Sequence, residues 1–190
     1  MKLILASKSP RRRELLSLFG KEFSQIVTSA DESYDESLDP RDIARVIATK
    51  KAMAVHIEGD EIVIGCDTIV VSPSGEIMGK PRDFSDACRM LSELSGKSHL
   101  VISGLCVHSH SKAYSTSVVT TVYMREISQK EIEYYVSRNS PFDKAGAYGI
   151  QEMAGAFIEK IEGDFFNVVG LPISALAKIL DEEFNYPITY

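Results

Sequence analysis

Along the first half of the chain, short apolar runs alternate with stretches whose apolar residues recur at helical spacing, a pattern that predicts strand and helix in turn. Leu3-Ile4-Leu5-Ala6 reads as a strand leading into a helix that Ser9 caps, Pro10 opens, and Leu15, Leu16 and Phe19 turn inward. Phe23 to Val27 reads as a second strand, followed by the acidic loop Asp31-Glu32-Ser33-Tyr34-Asp35-Glu36. Pro40 then opens a helix through about Val55, on which Ala44, Ile47, Ala48, Lys51, Ala54 and Val55 share one face. Ile62 to Val71 is almost continuously apolar, as in a strand covered on both faces, with Asp67-Thr68 in its middle.

The second half favours hairpins. Pro73-Ser74-Gly75 folds Glu76-Ile77-Met78 back on the preceding strand, ending in Gly79-Lys80-Pro81. A helix from about Phe84 to Leu94 stops at Ser95-Gly96, and strands follow over Ser98 to His108 and Ala113 to Tyr123. Ser128 and Glu131 form a capping box leading a helix to about Val136. Pro141 to Gly155 is rich in Gly and Ala; a strand from Phe157 to Ile161, a link from Gly163 to Gly170 and a helix from Pro172 to about Phe184 close the chain. The class is α/β, a mixed twisted sheet flanked by helices with function at the strand ends. No linker stands out, so residues 1–190 are expected to form a single domain.

Composition narrows the function. With 44% hydrophobic and 25% charged residues the chain is ordinary globular protein, and a net charge of −6 argues against general affinity for DNA or RNA, which needs a broad basic surface. The N-terminal apolar run is too short for a signal-peptide core and no segment has the length to cross a bilayer, so no membrane partner and a cytoplasmic location are expected. Cys66, Cys88 and Cys106 are odd in number and widely spaced, suggesting buried thiols rather than disulfides or a zinc site. His56, His99, His108 and His110 lack metal-ligand spacing and read as structural or surface residues.

Against this acidic background Arg11, Arg12 and Arg13, with Lys8, stand at a helix N-terminus, which already carries about half a positive charge. A phosphate-bearing ligand accounts for that placement, and Arg12, aligned with Leu15, Leu16 and Phe19, points inward. Lys51, on an apolar stripe, either snorkels to solvent or meets an anion. Asp67 has no turn to cap inside its strand, so a metal-linked or general-base role stands beside a structural one. The acidic loop and Asp67 offer the hard oxygen ligands that magnesium takes alongside substrate phosphates. Asp143 to Gln151 is Gly-rich but lacks a Walker ending, and no Gly-x-Ser-x-Gly elbow occurs.

Six segments together resemble the Maf family of nucleoside triphosphate pyrophosphatases. They are Leu5-Ala6-Ser7-Lys8-Ser9-Pro10-Arg11-Arg12, Gly65-Cys66-Asp67-Thr68-Ile69-Val70, Gly79-Lys80-Pro81-Arg82, Leu94-Ser95-Gly96, Asp143-Lys144-Ala145-Gly146-Ala147-Tyr148-Gly149-Ile150-Gln151 and Val168-Val169-Gly170-Leu171-Pro172. The resemblance implies a fold related to the inosine triphosphate pyrophosphatases, two lobes around a substrate cleft, and a homodimer. It implies a divalent metal, magnesium or manganese, and cleavage of a nucleoside triphosphate between its α- and β-phosphates.

Carried over by position, the resemblance makes Asp67 the proton acceptor and links Arg12, Thr68 and Gln151 to substrate choice. Ser7, Glu32, Lys51, Lys80 and Lys144 become further polar cleft residues; beside the resemblance, the acids Glu32 and Asp67 are expected to hold the metal together with substrate oxygens. The Gln-ending Lys-Ala-Gly-Ala-Tyr-Gly-Ile segment looks like the branch acting on dTTP and UTP, since a glutamine amide can donate to uracil O4 and accept from N3–H. Cys66 stands where alanine is common, and Glu152-Met153 follow Gln151 where glycine is more usual. Rival readings are a pyrophosphatase for modified nucleotides such as 7-methyl-GTP and a non-enzymatic regulator of septum formation.

Overall fold

The computed structural model describes residues 1–189. Seven strands, β1 (Lys2–Ala6), β2 (Phe23–Gln25), β3 (Glu61–Val71), β4 (Ile77–Met78), β5 (Ser98–His108), β6 (Ala113–Met124) and β7 (Ile158–Glu162), form a mixed sheet. Six helices accompany them: α1 (Pro10–Ser17), α2 (Pro40–Met53), α3 (Phe84–Leu94), α4 (Gln129–Asn139), α5 (Phe165–Val169) and α6 (Ile173–Phe184). The strand order is β2-β1-β3-β5-β6-β7, with β4 against β3; β1 runs parallel to β2 and β3, while β4 and β7 pair antiparallel. The chain divides into two compact units, residues 1–68, 103–118 and Gly170 onward in the first, 69–102 and 119–169 in the second.

In the first unit the strand period of two assigns residues to faces. Val63 packs with Ile4, Ala6, Ala48, Ala52, Val55 and Cys106, the face covered by α2. Two glycines let that helix settle directly on the strands. A Cβ on Gly65 would lie 2.4 Å from the Ala48 carbonyl oxygen and one on Gly104 only 2.0 Å from that of Ala44. Asp67 continues the α2 face, whereas Cys66 and Thr68 belong to the opposite one.

The expectation that Asp67 lies in a strand covered throughout needs correction. β1 pairs with β3 only as far as Ala6 opposite Gly65, so beyond that point β3 loses a neighbour. Asp67 and Thr68 are accordingly half-buried between fully buried Cys66 and Ile69. The strand edge opens where the chemistry-bearing residues begin, the usual place for a site in an α/β sheet.

In the second unit α3 and α4 pack a core of Met90, Leu91, Leu94, Ile132, Tyr135 and Val136 with Tyr148 and Phe157. The capping box forms as expected, with Ser128 accepting from the Glu131 amide and Glu131 accepting from that of Ser128. Three short 3-10 turns occupy the Gly/Ala-rich stretch. Several boundaries differ from the sequence reading: β2 stops at Gln25 rather than Val27, and α4 runs on to Asn139. α1 ends at Ser17, leaving Phe19 beyond it, because the chain turns at Gly20 with φ +66°. The expected link after β7 contains α5, whose first amides at Phe166 and Asn167 bond to the Asp164 carboxylate.

Candidate active site

Ser9 caps α1 by accepting from the Arg12 amide, and the first turn itself contains no acidic residue. Arg12 is braced at three points. Its Nε donates to the Gly170 carbonyl oxygen at 2.8 Å, Nη1 to Ser7 Oγ at 3.3 Å and Nη2 to Thr68 Oγ1 at 3.1 Å. A guanidinium has five N–H donors in a rigid fork, so two remain outside these contacts. Ser7, itself buried, also accepts from the Ser9 amide, and its carbonyl takes a hydrogen bond from Gln25 Nε2 at 2.6 Å. Gly170 presents its carbonyl from φ +125°, a backbone region that favours glycine.

Cys66 Sγ lies 3.3 Å from the same carbonyl as its donor. Burial pushes this thiol's pKa up, which keeps it protonated and suited to donate. Thr68 Oγ1 also lies 2.8 Å from Ser103 Oγ on β5.

On the other face of β3, Lys51 answers the question its position poses. It meets anions rather than snorkelling, because its ammonium sits 2.6 Å from Asp67 Oδ1 and 3.1 Å from Glu32 Oε1. The Lys51 and Asp67 side chains are only 14% and 13% exposed, and Glu32 reaches in from the surface at 61%. Of the loop acids, Asp31 and Asp35 are tied to serines of their own loop, and Asp31 also lies 3.6 Å from the Lys50 ammonium. Each accepts from the amide and hydroxyl of a serine two residues on, Ser33 or Ser37, which lowers its pKa.

Two carboxylates against one ammonium leave a surplus negative charge in a partly enclosed place. This hard oxygen pair suits magnesium, which commonly takes one or two carboxylates and completes its shell with water and phosphate oxygens. Among the described residues no group of three or more His, Cys, Asp or Glu side chains could hold a metal by itself.

The second unit carries the remaining candidates. Lys80 and Gln151 are exposed, and Lys144 is buried with its ammonium 2.7 Å from Asp143 and 3.1 Å from Glu152. The Gly146 amide donates to the Gly79 carbonyl at 3.1 Å, which joins the Lys80 and Lys144 segments. At Gly149 a Cβ would fall 2.9 Å from Lys144 Cε, so this glycine makes room for the lysine. Tyr148 is pinned by His99 Nε2 at 2.7 Å, confirming a structural place for that histidine.

Sequence reasoning missed Ser103, Gln25 and the Gly170 carbonyl. Gly170 lay in a recognised segment and carried the signal of a glycine at a turn, but nothing in the sequence marked Ser103 or Gln25.

A family model described as Maf-like protein matches residues 2–183. The protein named dTTP/UTP pyrophosphatase from Thermosipho africanus (strain TCF52B) is 48% identical, covering 95% of this chain and 92% of its own. That of Alkaliphilus metalliredigens (strain QYMF) is 47% identical over 97% of both, and that of Bacillus cereus (strain AH820) 43% identical over all of this chain and 98% of its own. The Staphylococcus aureus Ham1 protein structure aligns at a TM-score of 0.45 and 9% identity over 65% of this chain and 72% of its own, too weak a likeness to carry an argument. The family match and these relatives, each spanning nearly the full length, place the chain among the Maf-like proteins.

Proposed function

We propose that this chain hydrolyses dTTP and UTP to the nucleoside monophosphate and pyrophosphate, serving to sanitise the nucleotide pool. The observation that carries the reading is the juxtaposition at Asp67-Thr68. Consecutive residues of one strand hold a carboxylate–ammonium–carboxylate cluster on one face and a braced arginine fork on the other. The names of the relatives supply the substrate class.

In this reaction water attacks the α-phosphorus, the bond from that phosphorus to the bridging oxygen breaks, and pyrophosphate leaves with the oxygen. The two uncommitted Arg12 donors and the Lys51 ammonium neutralise phosphate oxygens where charge gathers in the transition state. Asp67 uses Oδ1 for Lys51, leaving Oδ2 to orient the water and accept its proton. Ser7 and Thr68 hold the arginine for this task. Glu32 and Asp67 would hold magnesium or manganese, which when bound supplies Lewis-acid polarisation of the phosphates.

Lys80, Lys144 and Gln151 enter the proposal as substrate contacts on the family resemblance, Gln151 reading the uracil or thymine edge. A homodimer and a cytoplasmic location complete it. Three unpaired buried cysteines suit a reducing compartment, and among the described residues no helix is long and apolar enough to cross a membrane.

The test is product analysis with magnesium across UTP, dTTP, CTP, ATP and 7-methyl-GTP. UTP and dTTP should rank first and release pyrophosphate. A leading rate on 7-methyl-GTP would reject the base assignment, and no turnover of any triphosphate would reject the enzyme.

A further inference from the structure

We infer that Ser103 is a positioning residue that sets the direction of the Thr68 hydroxyl and through it the Arg12 fork, an inference that rests on the pyrophosphatase reading. Ser103 is fully buried on β5, and its Oγ lies 2.8 Å from Thr68 Oγ1. Thr68 Oγ1 in turn accepts from Arg12 Nη2 at 3.1 Å and lies 3.4 Å from the Gly170 carbonyl oxygen.

The hydrogen-bond arithmetic makes Ser103 consequential. A threonine hydroxyl has one proton and two lone pairs, and a guanidinium can only donate. Thr68 therefore holds Arg12 only while a lone pair faces it. If Ser103 donates to Thr68, the threonine proton turns to Gly170 and both lone pairs are used, one on Ser103 and one on Arg12. If Ser103 accepts, the threonine proton is drawn to β5 and a lone pair again faces the arginine. Either direction fixes the rotor.

Without Ser103 the Thr68 hydroxyl loses its shortest partner and spends part of its time turned away from Nη2. The fork is then held by Gly170 and Ser7 alone, and its two remaining donors lose their aim. Reaction rates are sensitive to such errors, because a misplacement of about 1 Å can cost about a hundredfold. Ser103 touches no substrate atom in this scheme; it acts through Thr68.

The experiment is a double-mutant cycle on the full chain with Ser103→Ala, Thr68→Val and both together, read by steady-state kinetics on dTTP and UTP. Loss of one neutral hydrogen bond in the bracing chain predicts a fall in kcat/KM of about two- to twelvefold for Ser103→Ala, carried by kcat more than by KM. In the Thr68→Val background Ser103→Ala should add less than about twofold. A second readout needs no turnover: the solvent-exchange rate of the Arg12 Nη2 protons, which face Thr68, in ligand-free protein, measured by nitrogen-15 NMR.

Those protons should exchange several-fold faster in Ser103→Ala, and no faster in the double variant than in Thr68→Val alone. Independent, multiplying losses in the cycle, or Arg12 Nη2 protons unaffected by Ser103→Ala, would overturn the assignment. If the unaltered protein cleaves neither dTTP nor UTP, the functional reading fails, and the exchange measurement still decides whether Ser103 aims Arg12. Should alanine prevent folding, Ser103→Cys keeps the volume, weakens the hydrogen bond and carries the same prediction with a smaller effect.

Discussion

Replacing Arg12 by lysine keeps the positive charge and removes the fork, so it separates electrostatic attraction from geometric recognition. The guanidinium contributes three hydrogen bonds within the protein, to Gly170, Ser7 and Thr68, and offers two further donors. A lysine ammonium can replace one of the protein contacts or one of the substrate contacts, but it cannot present two parallel donors while remaining anchored. The substrate therefore loses about one charge-assisted hydrogen bond, on the order of 1.5–3 kcal/mol, or about ten- to 150-fold in kcat/KM.

Folding loses about two neutral-acceptor contacts at a half-buried position, roughly 1–3 kcal/mol. That is within what a domain of ordinary stability tolerates at 25 °C. The assay is initial-rate pyrophosphate release from dTTP and UTP at fixed magnesium, with urea unfolding of the same preparation to keep stability apart from activity. Arg12→Lys within threefold of the unaltered protein, while folded, would refute the argument that the braced fork recognises the phosphates.

Four further perturbations probe other parts of the account. Asp67→Asn should lower kcat by about 10²–10⁴ while leaving the urea midpoint close to its original value; unchanged pyrophosphate release would dismiss Asp67 as base. Gly65→Ala pushes a Cβ into the α2 backbone at Ala48 and Ala52, and should destabilise by about 1–3 kcal/mol while displacing Lys51 from Asp67. A fully stable, fully active Gly65→Ala would show that the close helix seat is not needed. Glu152→Gln leaves Lys144 paired only with Asp143, so the KM for dTTP should fall a few-fold at low salt and less at high salt, and a raised KM would contradict it. Burial holds the His99 pKa down at about 4 against an ordinary 6.5, so the unfolded chain binds the extra proton as pH falls through that window and stability drops by about 3 kcal/mol between pH 6.5 and 4. His99→Gln should flatten that slope in urea unfolding, distinguishable from Asp86 and Glu131, whose lowered pKa values of about 2 act only below about pH 4.5.

The elements were legible wherever one local rule dominated. α3 spans the predicted Phe84 to Leu94, because its amphipathic pattern is strong and Ser95-Gly96 follows it, and the Ser128–Glu131 box marks the start of α4. Partners across the chain were not. Periodicity placed Lys51 on the inner face of α2, but the carboxylates it meets come from a loop and from β3, and only the closeness of α2 to β3 at Gly65 makes that encounter.

The four loop acids look alike in sequence. Glu32 differs because Asp31 is engaged by Ser33 and Lys50, and Asp35 by Ser37. Arg12 was readable as an inward cation from its helix position, while its Gly170 anchor, 158 residues away, was not. Asp67 read as interior because its neighbours are apolar, and only the register shows β1 ending two residues before it.

In the proposed reaction water attacks the α-phosphorus beside Asp67. Turnover of dTTP or UTP with magnesium in oxygen-18 water, read by phosphorus-31 NMR, tests it directly. Unlabelled pyrophosphate and a nucleoside monophosphate carrying the heavy oxygen are expected. Label in the pyrophosphate, or release of inorganic phosphate with a nucleoside diphosphate, would contradict it.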